Sequence, residues 1–568
     1  MTSEKEPPLP TGPGEENEVN LNPNPKDGID IHGEQPASDA PESIPRPSDL
    51  TPKDVEAHTT AATLSTTISP KPYTVFSPGM KWFIVIMTTM ASFFSPLSGQ
   101  IYFPVLPILT KVYKITPSQT NISITTYLIL QGLTPSFMGT FSDASGRRLG
   151  YILAFTIYTG ANIGLALQHS YAALLALRAL QSAGSSGTIS FGYGVLADCI
   201  TAGERGKYFG PMMAGALTAP ALGPTIGGLL TQFLGWRAVF WFLTIISGGY
   251  LAIYIVTMPE THRKIVDNGS VIPLQWWRQS VLQFLSERRR VKRLAGEERE
   301  EYQRTQQALL EEQQATKIAF PNPLRSFMIL ARPDALCIVC YTGIVMFSNM
   351  VLMTSTPTLF PALYGLNELQ VGLTFLPLGV SAGVGAIVNG RFLDWNYARV
   401  AKQLGLTVDK KRGDDLRDFP IEKTRLQIAF FAQGLQVAVF LPYGWALQKR
   451  ASLAVPLVLQ FIMGFCLIVV SNSLSTLLTD ISPGEVSTAS AASNLVRCLL
   501  GAVGAATVDD MLKGMGVGWC FVFLGLLLFA GSGLLWAEVI YGMRWRQKRW
   551  RKGERKGGGG GKEEGSGQ

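Results

Sequence analysis

The segment Gly139-Thr-Phe-Ser-Asp143-Ala-Ser-Gly146-Arg147-Arg148 stands between two long apolar stretches of the chain. Its glycines permit a tight reversal of the main chain, and the Asp143 carboxylate can accept hydrogen bonds from main-chain amides or from an arginine. The two arginines add positive charge directly before the second apolar stretch. The segment therefore predicts a short charged turn between two membrane-spanning helices, on the side where positive charge collects.

The composition indicates a membrane protein. Hydrophobic residues make up 47% of the 568 residues and charged residues only 16%, with a mean hydropathy of +0.19. Soluble domains carry about a quarter charged residues, whereas a membrane-spanning helix needs about 20 mostly apolar ones. About twelve spans are predicted, at residues 82–106, 120–141, 149–168, 172–196, 207–231, 236–258, 333–361, 367–392, 427–447, 452–476, 487–509 and 516–541. The predicted fold class is an all-α polytopic membrane protein.

The distribution of charge between the spans predicts the domain organisation and the orientation. The predicted parts are a disordered cytoplasmic tail at 1–80, a six-helix bundle at 81–258, a cytoplasmic loop at 259–332, a second six-helix bundle at 333–541 with its own cytoplasmic loop at 393–426, and a basic, glycine-rich cytoplasmic tail at 542–568. Most lysines and arginines between spans fall on one side, so both termini are expected in the cytoplasm. The plasma membrane is the expected location.

The two halves share sequence features at equivalent positions. Residues 139–143, which end the second span, and residues 390–394, which end the eighth, both follow the pattern Gly-x-Phe-x-Asp. Asp198 after the fourth span and Asp480 after the tenth are each followed a few residues later by Gly-Glu. Such internal repeats are typical of secondary transporters, whose substrate site lies between the two halves.

Other classes of protein would need residues that the chain does not place suitably. No Gly-x-x-x-x-Gly-Lys-[Ser/Thr] segment occurs, which argues against an ATP-driven pump. The four histidines fall in predicted tails or loops, away from membrane depth. Cys337 and Cys340 have a metal-type spacing, but no second pair or nearby histidine completes a site, so cysteines are expected to pack as small apolar groups. We expect no enzymatic activity, no metal, no cofactor and no nucleic-acid partner.

Three segments resemble motifs of the major facilitator superfamily. Residues 139–148 are similar to its Gly-x-x-x-Asp-x-x-Gly-Arg-[Arg/Lys] signature between the second and third spans. Residues 177–184 resemble the family's Arg-x-x-Gln-Gly element, with Ser182 where the family often has glycine. Residues 215–228 are similar to the antiporter element of the family's exporters. The resemblance implies two six-helix bundles related by a pseudo-two-fold axis.

The same resemblance implies roles for two groups of residues. A conformational network that stabilises the outward-facing state is expected at Gly139, Asp143, Gly146, Arg147, Arg148 and Asp198. The antiporter element is expected at Gly215, Pro220, Gly223, Pro224, Gly227 and Gly228. Small residues and prolines there could equally serve plain helix packing, and both interpretations remain open.

Four further segments resemble one branch of the family. Residues 94–104, 234–237, 414–422 and 494–501 look like the fungal twelve-span drug:H⁺ antiporters, and most like the branch that holds quinidine-resistance, dityrosine and citrate exporters. This resemblance extends over residues 80–545, with all predicted spans in register.

Two arginines stand out among the polar residues of the spans. Arg178 lies about 9 Å into the fourth span at 1.5 Å per residue, and Arg497 lies near the middle of the eleventh. Charges at such depth usually face a protein interior or a water-filled cavity. Either arginine could instead be structural, bound to carbonyl groups. The candidate substrate-binding residues are Ser98, Gln100, Gln131, Arg178, Gln181, Asn472, Asn494 and Arg497.

These observations together predict a proton-coupled exporter that works by alternating access as a monomer in the lipid bilayer. Arginines without an acidic residue in the first span favour an anionic or zwitterionic small molecule over a lipophilic cation. A multidrug or polyamine efflux antiporter of the same fold and a transporter-like membrane sensor are the alternatives. Asp198 is the expected carrier of the proton.

Overall fold

The computed structural model describes residues 73–201, 204–273, 275–293, 325–405, 419–482 and 485–557, with a few positions between 296 and 308. Throughout these residues the chain forms helices and short connections, without a β-strand. The predicted all-α fold class is therefore confirmed. The tail expected at 1–80 lies outside the described residues up to residue 72, as do the centre of the 393–426 loop and the last residues, 558–568.

The first half of the chain contains helices α1 to α8. They are α1 (Pro78–Gln100), α2 (Leu106–Tyr113), α3 (Pro117–Ser145), α4 (Arg147–Leu167), α5 (Tyr171–Ser186), α6 (Thr188–Cys199), α7 (Arg205–Leu234) and α8 (Arg237–Thr257). A 3₁₀ turn, Phe103–Val105, joins α1 to α2, and these three elements make up the first span. The fourth span is likewise interrupted, at Gly187 between α5 and α6.

The connecting segment and the second half contain helices α9 to α17. They are α9 (Arg263–Val266), α10 (Val281–Arg293), α11 (Arg325–Leu330), α12 (Pro333–Tyr364), α13 (Glu368–Leu373), α14 (Leu376–Gln403), α15 (Ile421–Gln448), α16 (Ala454–Asp480) and α17 (Val486–Gly557). Gly516 interrupts α17 with a φ of 76°, so this element holds two spans. The described helices account in this way for the twelve predicted spans.

Matching caps begin the second and the eighth span. The Thr116 side chain accepts from the Gln119 amide while the Gln119 side chain accepts from the Thr116 amide, at 3.2 and 3.0 Å. Asn367 and Gln370 exchange the same two bonds before α13. Each reciprocal pair satisfies two of the amides that a helix start leaves without partners. The repeat seen in the sequence therefore also appears in how equivalent helices begin.

Eight helices in the described chain are long and apolar enough to cross a membrane, and α3 is not among them. Polar residues on α3, such as Thr120, Asn121 and Ser123, are buried. Their side chains face protein rather than lipid, which lowers the mean hydropathy of a helix that is enclosed by its neighbours.

Several helix ends differ from the span boundaries predicted from the sequence; α2, for example, continues to Tyr113, past the predicted end at 106. Helix α14 continues through Gln403, past the predicted end at 392, and α15 begins at Ile421 rather than 427. Helix α17 continues to Gly557, so most of the segment predicted as a tail at 542–568 is helical. Hydropathy marks where the chain leaves the bilayer, but helical hydrogen bonds can continue beyond that point.

The two halves pack together in one part of the bundle and separate in another. We call the end of the helices that carries Arg147 and Arg425 the basic face. Away from it, the Gly379 position of α14 touches Ala221 of α7, so closely that a Cβ would overlap. Further along the same side of α14, towards the basic face, Gly383 and Gly390 have nothing within 4 Å of a Cβ position.

Helices α3 and α17 are likewise in contact away from the basic face and apart near it. A Cβ at Gly132 would lie 3.0 Å from Cys498 Cβ of α17, whereas at Gly139, two turns nearer the basic face, nothing lies within 4 Å. The halves are therefore in contact from the middle of the helices to the opposite face, and they diverge towards the basic face. The space between the halves is therefore open at the basic face and closed at the other.

Candidate functional site

An ion-pair network joins three helices at the basic face. Arg147 at the start of α4 pairs with Asp143 at the end of α3, and its Nε lies 3.1 Å from Asp198 Oδ2 at the end of α6. Glu260 accepts from the Arg147 and Arg148 amides, at 3.0 and 3.2 Å, and so caps α4. The partial positive charge at the N-terminus of a helix attracts an anion such as the Glu260 carboxylate.

Gly146 makes this cap possible. Its φ is 107°, and a Cβ at this position would overlap the Glu260 carboxylate. Arg148 does not join the ion pairs that its place in the motif suggested. Its guanidinium is buried and donates to the carbonyl groups of Tyr254, Ile255 and Met258 at the end of α8, at 3.2, 2.8 and 2.6 Å.

The second half repeats the pairing of Arg147 with Asp198. Arg425 Nε, near the start of α15, lies 2.9 Å from Asp480 Oδ2 at the end of α16. In both halves an arginine at the start of that half's third span thus pairs with an aspartate at the end of its fourth span. The sequence indicated the two aspartates as equivalent but not the arginine partner, because Arg425 lies in no motif that matches residues 139–148.

Arg178 lies in a buried polar cluster of the first half. Its guanidinium carbon is 3.9 Å from the ring centre of Tyr102 and 4.4 Å from that of Tyr127. Gln181 accepts a hydrogen bond from Arg178 and donates to Asn162 Oδ1 at 2.7 Å. Two ring faces around a desolvated guanidinium each contribute about 2 kcal/mol. No acidic side chain in the described chain pairs with Arg178.

This cluster does not open to the space between the halves. Arg178 is only 1% exposed and Gln181 is fully buried. Ser98 is also enclosed, because it donates to the Phe94 carbonyl at 2.7 Å and bonds to the Tyr158 hydroxyl. In this conformation these three candidate binding residues therefore hold helices α1, α4 and α5 together instead of lining an open cavity.

The glycines of residues 215–228 bring α7 against α1. A Cβ at Gly215 would lie 2.7 Å from Thr89 Cγ2, and one at Gly223 would lie 2.8 Å from Gln100 Cβ. At Gly227 a Cβ would overlap the Ile101 carbonyl. Gln100 thus packs beneath α7, which places it at a helix contact rather than at an open site.

The end of the same element joins the two halves. A Cβ at Gly228 would lie 2.5 Å from the Glu368 carbonyl of α13, and Gly372 approaches the Pro224 carbonyl closely. Gln232 Oε1 accepts from the Leu369 amide at 3.3 Å. Pro220 is half-buried on the same helix. The packing function expected for this element is visible here, and its effect on exchange direction stays a prediction.

Arg497 is the candidate that faces the space between the halves. Its side chain is exposed. The Arg497 charge is close enough to interact electrostatically with the hydroxyl of Tyr193, an exposed residue of α6 in the other half. Arg497 Nη2 donates to Asn494 Oδ1 at 2.8 Å, and Asn494 Nδ2 donates to the Gln131 carbonyl at 3.1 Å. Asn494 and Gln131 are half-buried, as is Asn472 on α16.

Helical spacing places Asn494, Arg497, Gly501 and Gly504 on one face of the eleventh span, and this face has two different surroundings. Gly501 and Gly504 pack against α12, where a Cβ at Gly504 would lie 2.7 Å from the Phe347 carbonyl. Only the first two residues reach the space between the halves. No salt bridge occupies Arg497 within the described chain.

Sequence reasoning missed several residues of these clusters. Tyr127, Asn162 and Tyr193 were not singled out, because aromatic and amide side chains are common in membrane helices. Glu260 follows the sixth span directly in a Pro-Glu pair, which was a usable signal for a cap. In the second half, Gln460 Nε2 donates to the Tyr443 hydroxyl at 2.9 Å, and Gln460 stands at a similar depth in the tenth span as Arg178 does in the fourth.

Comparison with known proteins agrees with this architecture. A family model described as Major Facilitator Superfamily matches residues 88–505. The MFS-type transporter phiD of Fungal sp. is 39% identical over 477 residues, which are 84% of this chain and 71% of that protein. Citrate exporter 1 of Aspergillus niger is 34% identical over 525 residues, covering 90% of this chain and 96% of that protein.

Solved structures share the fold at low sequence identity. The crystal structure of a D-xylose-proton symporter aligns with a TM-score of 0.55 at 14% identity, covering 80% of this chain and 96% of that one. The human organic anion transporter MFSD10 aligns with a TM-score of 0.50 at 19% identity, covering 81% of this chain and all of that one (100%). The predicted superfamily and its fungal transporter relatives are confirmed, and the chain belongs to the major facilitator superfamily.

Proposed function

We propose that this chain is a proton-coupled exporter of a small organic molecule that carries a carboxylate, either an anion or a zwitterion. The observation that carries the proposal is the exposed guanidinium of Arg497, which faces Tyr193 across the space between the halves and has no acidic partner in the described residues. An arginine presents planar paired donors that match a carboxylate.

The energetics favour a ligand for this arginine. A guanidinium that faced lipid at mid-membrane would cost about 2.5–3.5 kcal/mol on insertion scales, which favours a position such as that of Arg497, towards the space between the halves. Asn494 supplies one neutral acceptor at 2.8 Å, and no described acidic side chain forms a salt bridge with the guanidinium. Arg178 adds a second positive charge without an acidic partner in the described chain. Both charges favour an anionic group nearby and disfavour a cation.

The relatives support the same substrate class. A relative at 34% identity is named a citrate exporter, and a structural neighbour is described as an organic anion transporter. Both descriptions name an anion, and an anion is the kind of ligand that an arginine-containing site favours. The proposal therefore defines the substrate by its charge.

The conformation fits loading for export. The positive-inside rule assigns the basic face to the cytoplasm, with both termini. The space between the halves then opens towards the cytoplasm, so Arg497 is accessible to a cytoplasmic substrate. Rocking of the two halves about the mid-helix contacts would release the substrate on the other side. The plasma membrane and the proton gradient as energy source belong to this proposal.

The test is transport by the purified protein in proteoliposomes with an imposed pH gradient. Citrate and other carboxylates, amino-acid zwitterions and polyamines are offered separately. We expect uphill movement of a carboxylate that stops with a protonophore. Transport of polyamines or lipophilic cations alone would favour the multidrug alternative and overturn the anion proposal.

A further inference from the structure

Glu538 is a fully buried carboxyl group near the basic face, on the second part of α17. Its side chain is 0% exposed, and neither carboxyl oxygen has a hydrogen-bond partner in the described chain. The other buried carboxyls of the described chain are bonded: Glu260 to two amides of α4, Glu422 to Arg546 at 2.9 Å, Asp334 to Arg549 at 2.7 Å, and Asp509 to Lys513 at 2.5 Å. Among the described residues, these carboxyl groups have bonding partners, whereas the carboxyl group of Glu538 has none.

Three helices surround this group with both signs of charge. Helix α12 contributes Asp334 and Cys337, and α15 contributes Glu422. Helix α17 itself contributes Arg546 and Arg549. Among the described residues, these groups include the ones that act most strongly on Glu538.

Two carboxyl side chains share one small space. A Cβ at Gly542, one turn beyond Glu538, would lie 2.6 Å from Glu538 Oε1 and 3.0 Å from Glu422 Cγ. The absent side chain of Gly542 therefore leaves the room in which both glutamates fit. Arg546 approaches Glu422 and also donates to the Phe419 carbonyl at 2.8 Å.

The arrangement suits a neutral carboxylic acid at Glu538. An isolated carboxylate buried without donors costs several kcal/mol, and the usual outcome is that the group binds a proton. A charged Glu538 would also stand beside the carboxylates of Glu422 and Asp334, and like charges at close range disfavour ionisation. The arginines nearby already have carboxylate partners.

We propose that Glu538 is a proton-binding site and that the proton it holds is the one exchanged for the substrate. The second part rests on the proposed function. A coupling residue must bind and release a proton, whereas the carboxylates of Asp198 and Asp480 are each engaged with an arginine, at 3.1 and 2.9 Å. In this proposal the carrier is Glu538, whereas the sequence led us to expect Asp198.

Release of the proton would change the contacts of α17. A carboxylate at Glu538 competes with Glu422 for Arg546, because both acids lie near the same guanidinium. Arg546 also holds the end of α17 to the start of α15. Proton release is thus linked to a rearrangement between these two helices.

Proton binding is tested by infrared spectroscopy of the full-length protein in lipid at neutral pH. We expect a carbonyl band from a protonated carboxyl that is lost in Glu538→Gln and shifts in frequency in Glu538→Asp, which keeps an acid. Glu485→Gln, at a glutamate that pairs with Arg332 and is 61% exposed, is the control and should leave the band unchanged. Absence of the band, or its survival in Glu538→Gln, overturns the proposal.

Coupling is tested with the same variants in proteoliposomes. We expect Glu538→Gln to lose uphill export driven by a pH gradient while keeping exchange of labelled for unlabelled substrate. Proton-coupled export by the wild type and equally by Glu538→Gln overturns only the assignment of the coupling proton to Glu538. Wild-type transport without proton movement overturns the coupling in the proposed function, and the infrared result then stands alone.

Discussion

Asn494 on α17 donates a hydrogen bond to the main-chain carbonyl of Gln131 on α3, 3.1 Å away in the other half of the molecule. The same amide accepts from Arg497 at 2.8 Å. Next to this bond, Gly132 brings the two helices into close contact at Cys498. One side chain therefore connects the point about which the halves meet with the arginine that faces the space between them.

The first prediction concerns Arg497. Arg497→Gln should reach the membrane and fold, since it removes a charge that is costly at this depth, but should lose substrate binding and export. Hydrogen bonds to charged groups contribute about 1.5–3 kcal/mol, which corresponds to a loss of affinity of about tenfold to a hundredfold. Arg497→Lys should recover part of it, because an ammonium keeps the charge without the planar geometry.

Binding is measured by thermal shift at matched protein amounts, with acidic, zwitterionic and cationic compounds. Arg544→Gln, at an exposed arginine of the same helix beyond the predicted span, is the control and should behave as the wild type. Wild-type export by Arg497→Gln, or binding of cations alone, would show that Arg497 is a structural residue.

The second prediction concerns the bond network of Asn494. Asn494→Ala leaves the Gln131 carbonyl without its partner and frees the Arg497 guanidinium, so we expect a loss of stability of about 1–3 kcal/mol and weaker substrate binding. A double-mutant cycle of Asn494→Ala with Arg497→Gln measures the interaction, and its effects on binding should not be additive. Additive effects would mean that Asn494 does not position Arg497.

The third prediction compares two aspartates that pair with Arg147. Asp198 has a side-chain exposure of 14% and Asp143 one of 47%. Removing one partner of a buried pair costs about 3–5 kcal/mol, whereas an exposed pair contributes at most about 1 kcal/mol. Asp198→Asn should therefore lower the unfolding temperature more than Asp143→Asn does.

Both variants should slow transport, because the network connects the ends of three helices at the basic face. Asp394→Asn, at an exposed aspartate in the equivalent motif of the second half, is the control for loss of a charge. Normal transport by a well-expressed Asp143→Asn protein would show that transport does not require the network.

The fourth prediction concerns the contact between α7 and α14. Gly379→Ala places a methyl group against Ala221, so it should disfavour the conformation described here and shift the protein towards the state that is open on the opposite face. Gly383→Ala lies one turn away on the same helix with nothing within 4 Å, and should be neutral or slightly stabilising. The population is measured by accessibility of a cysteine at the basic face. Equal accessibility in the two variants would contradict the prediction.

The fifth prediction concerns Gly139, which has nothing within 4 Å in this conformation. Gly139→Leu should fit here but block approach of the halves at the basic face. We expect substrate binding to persist while transport is lost. Gly249→Leu, at an exposed glycine of α8 that also has nothing within 4 Å, is the control. Unimpaired transport by Gly139→Leu would mean that α3 does not close against the other half.

The twelve spans and the superfamily could be predicted from the sequence because both depend on local properties. A span needs only enough consecutive apolar residues, and the segment 139–148 carries its signature within ten positions. Boundaries were less accurate where helices continue outside the bilayer. Arg546 illustrates the cause, since its burial against Glu422 depends on a helix more than 120 positions earlier in the chain.

The environments of the charged residues depended on tertiary structure. Arg178 and Arg497 both appear in the sequence as single arginines in apolar spans, and helical periodicity assigns each a face. It does not say what lies opposite that face. Arg178 meets two tyrosines from other helices and is buried, whereas Arg497 meets the space between the halves and is exposed. Glu422 and Asp334 similarly disfavour a charged Glu538. The free energy of a charge depends on all groups around it, wherever they lie in the chain.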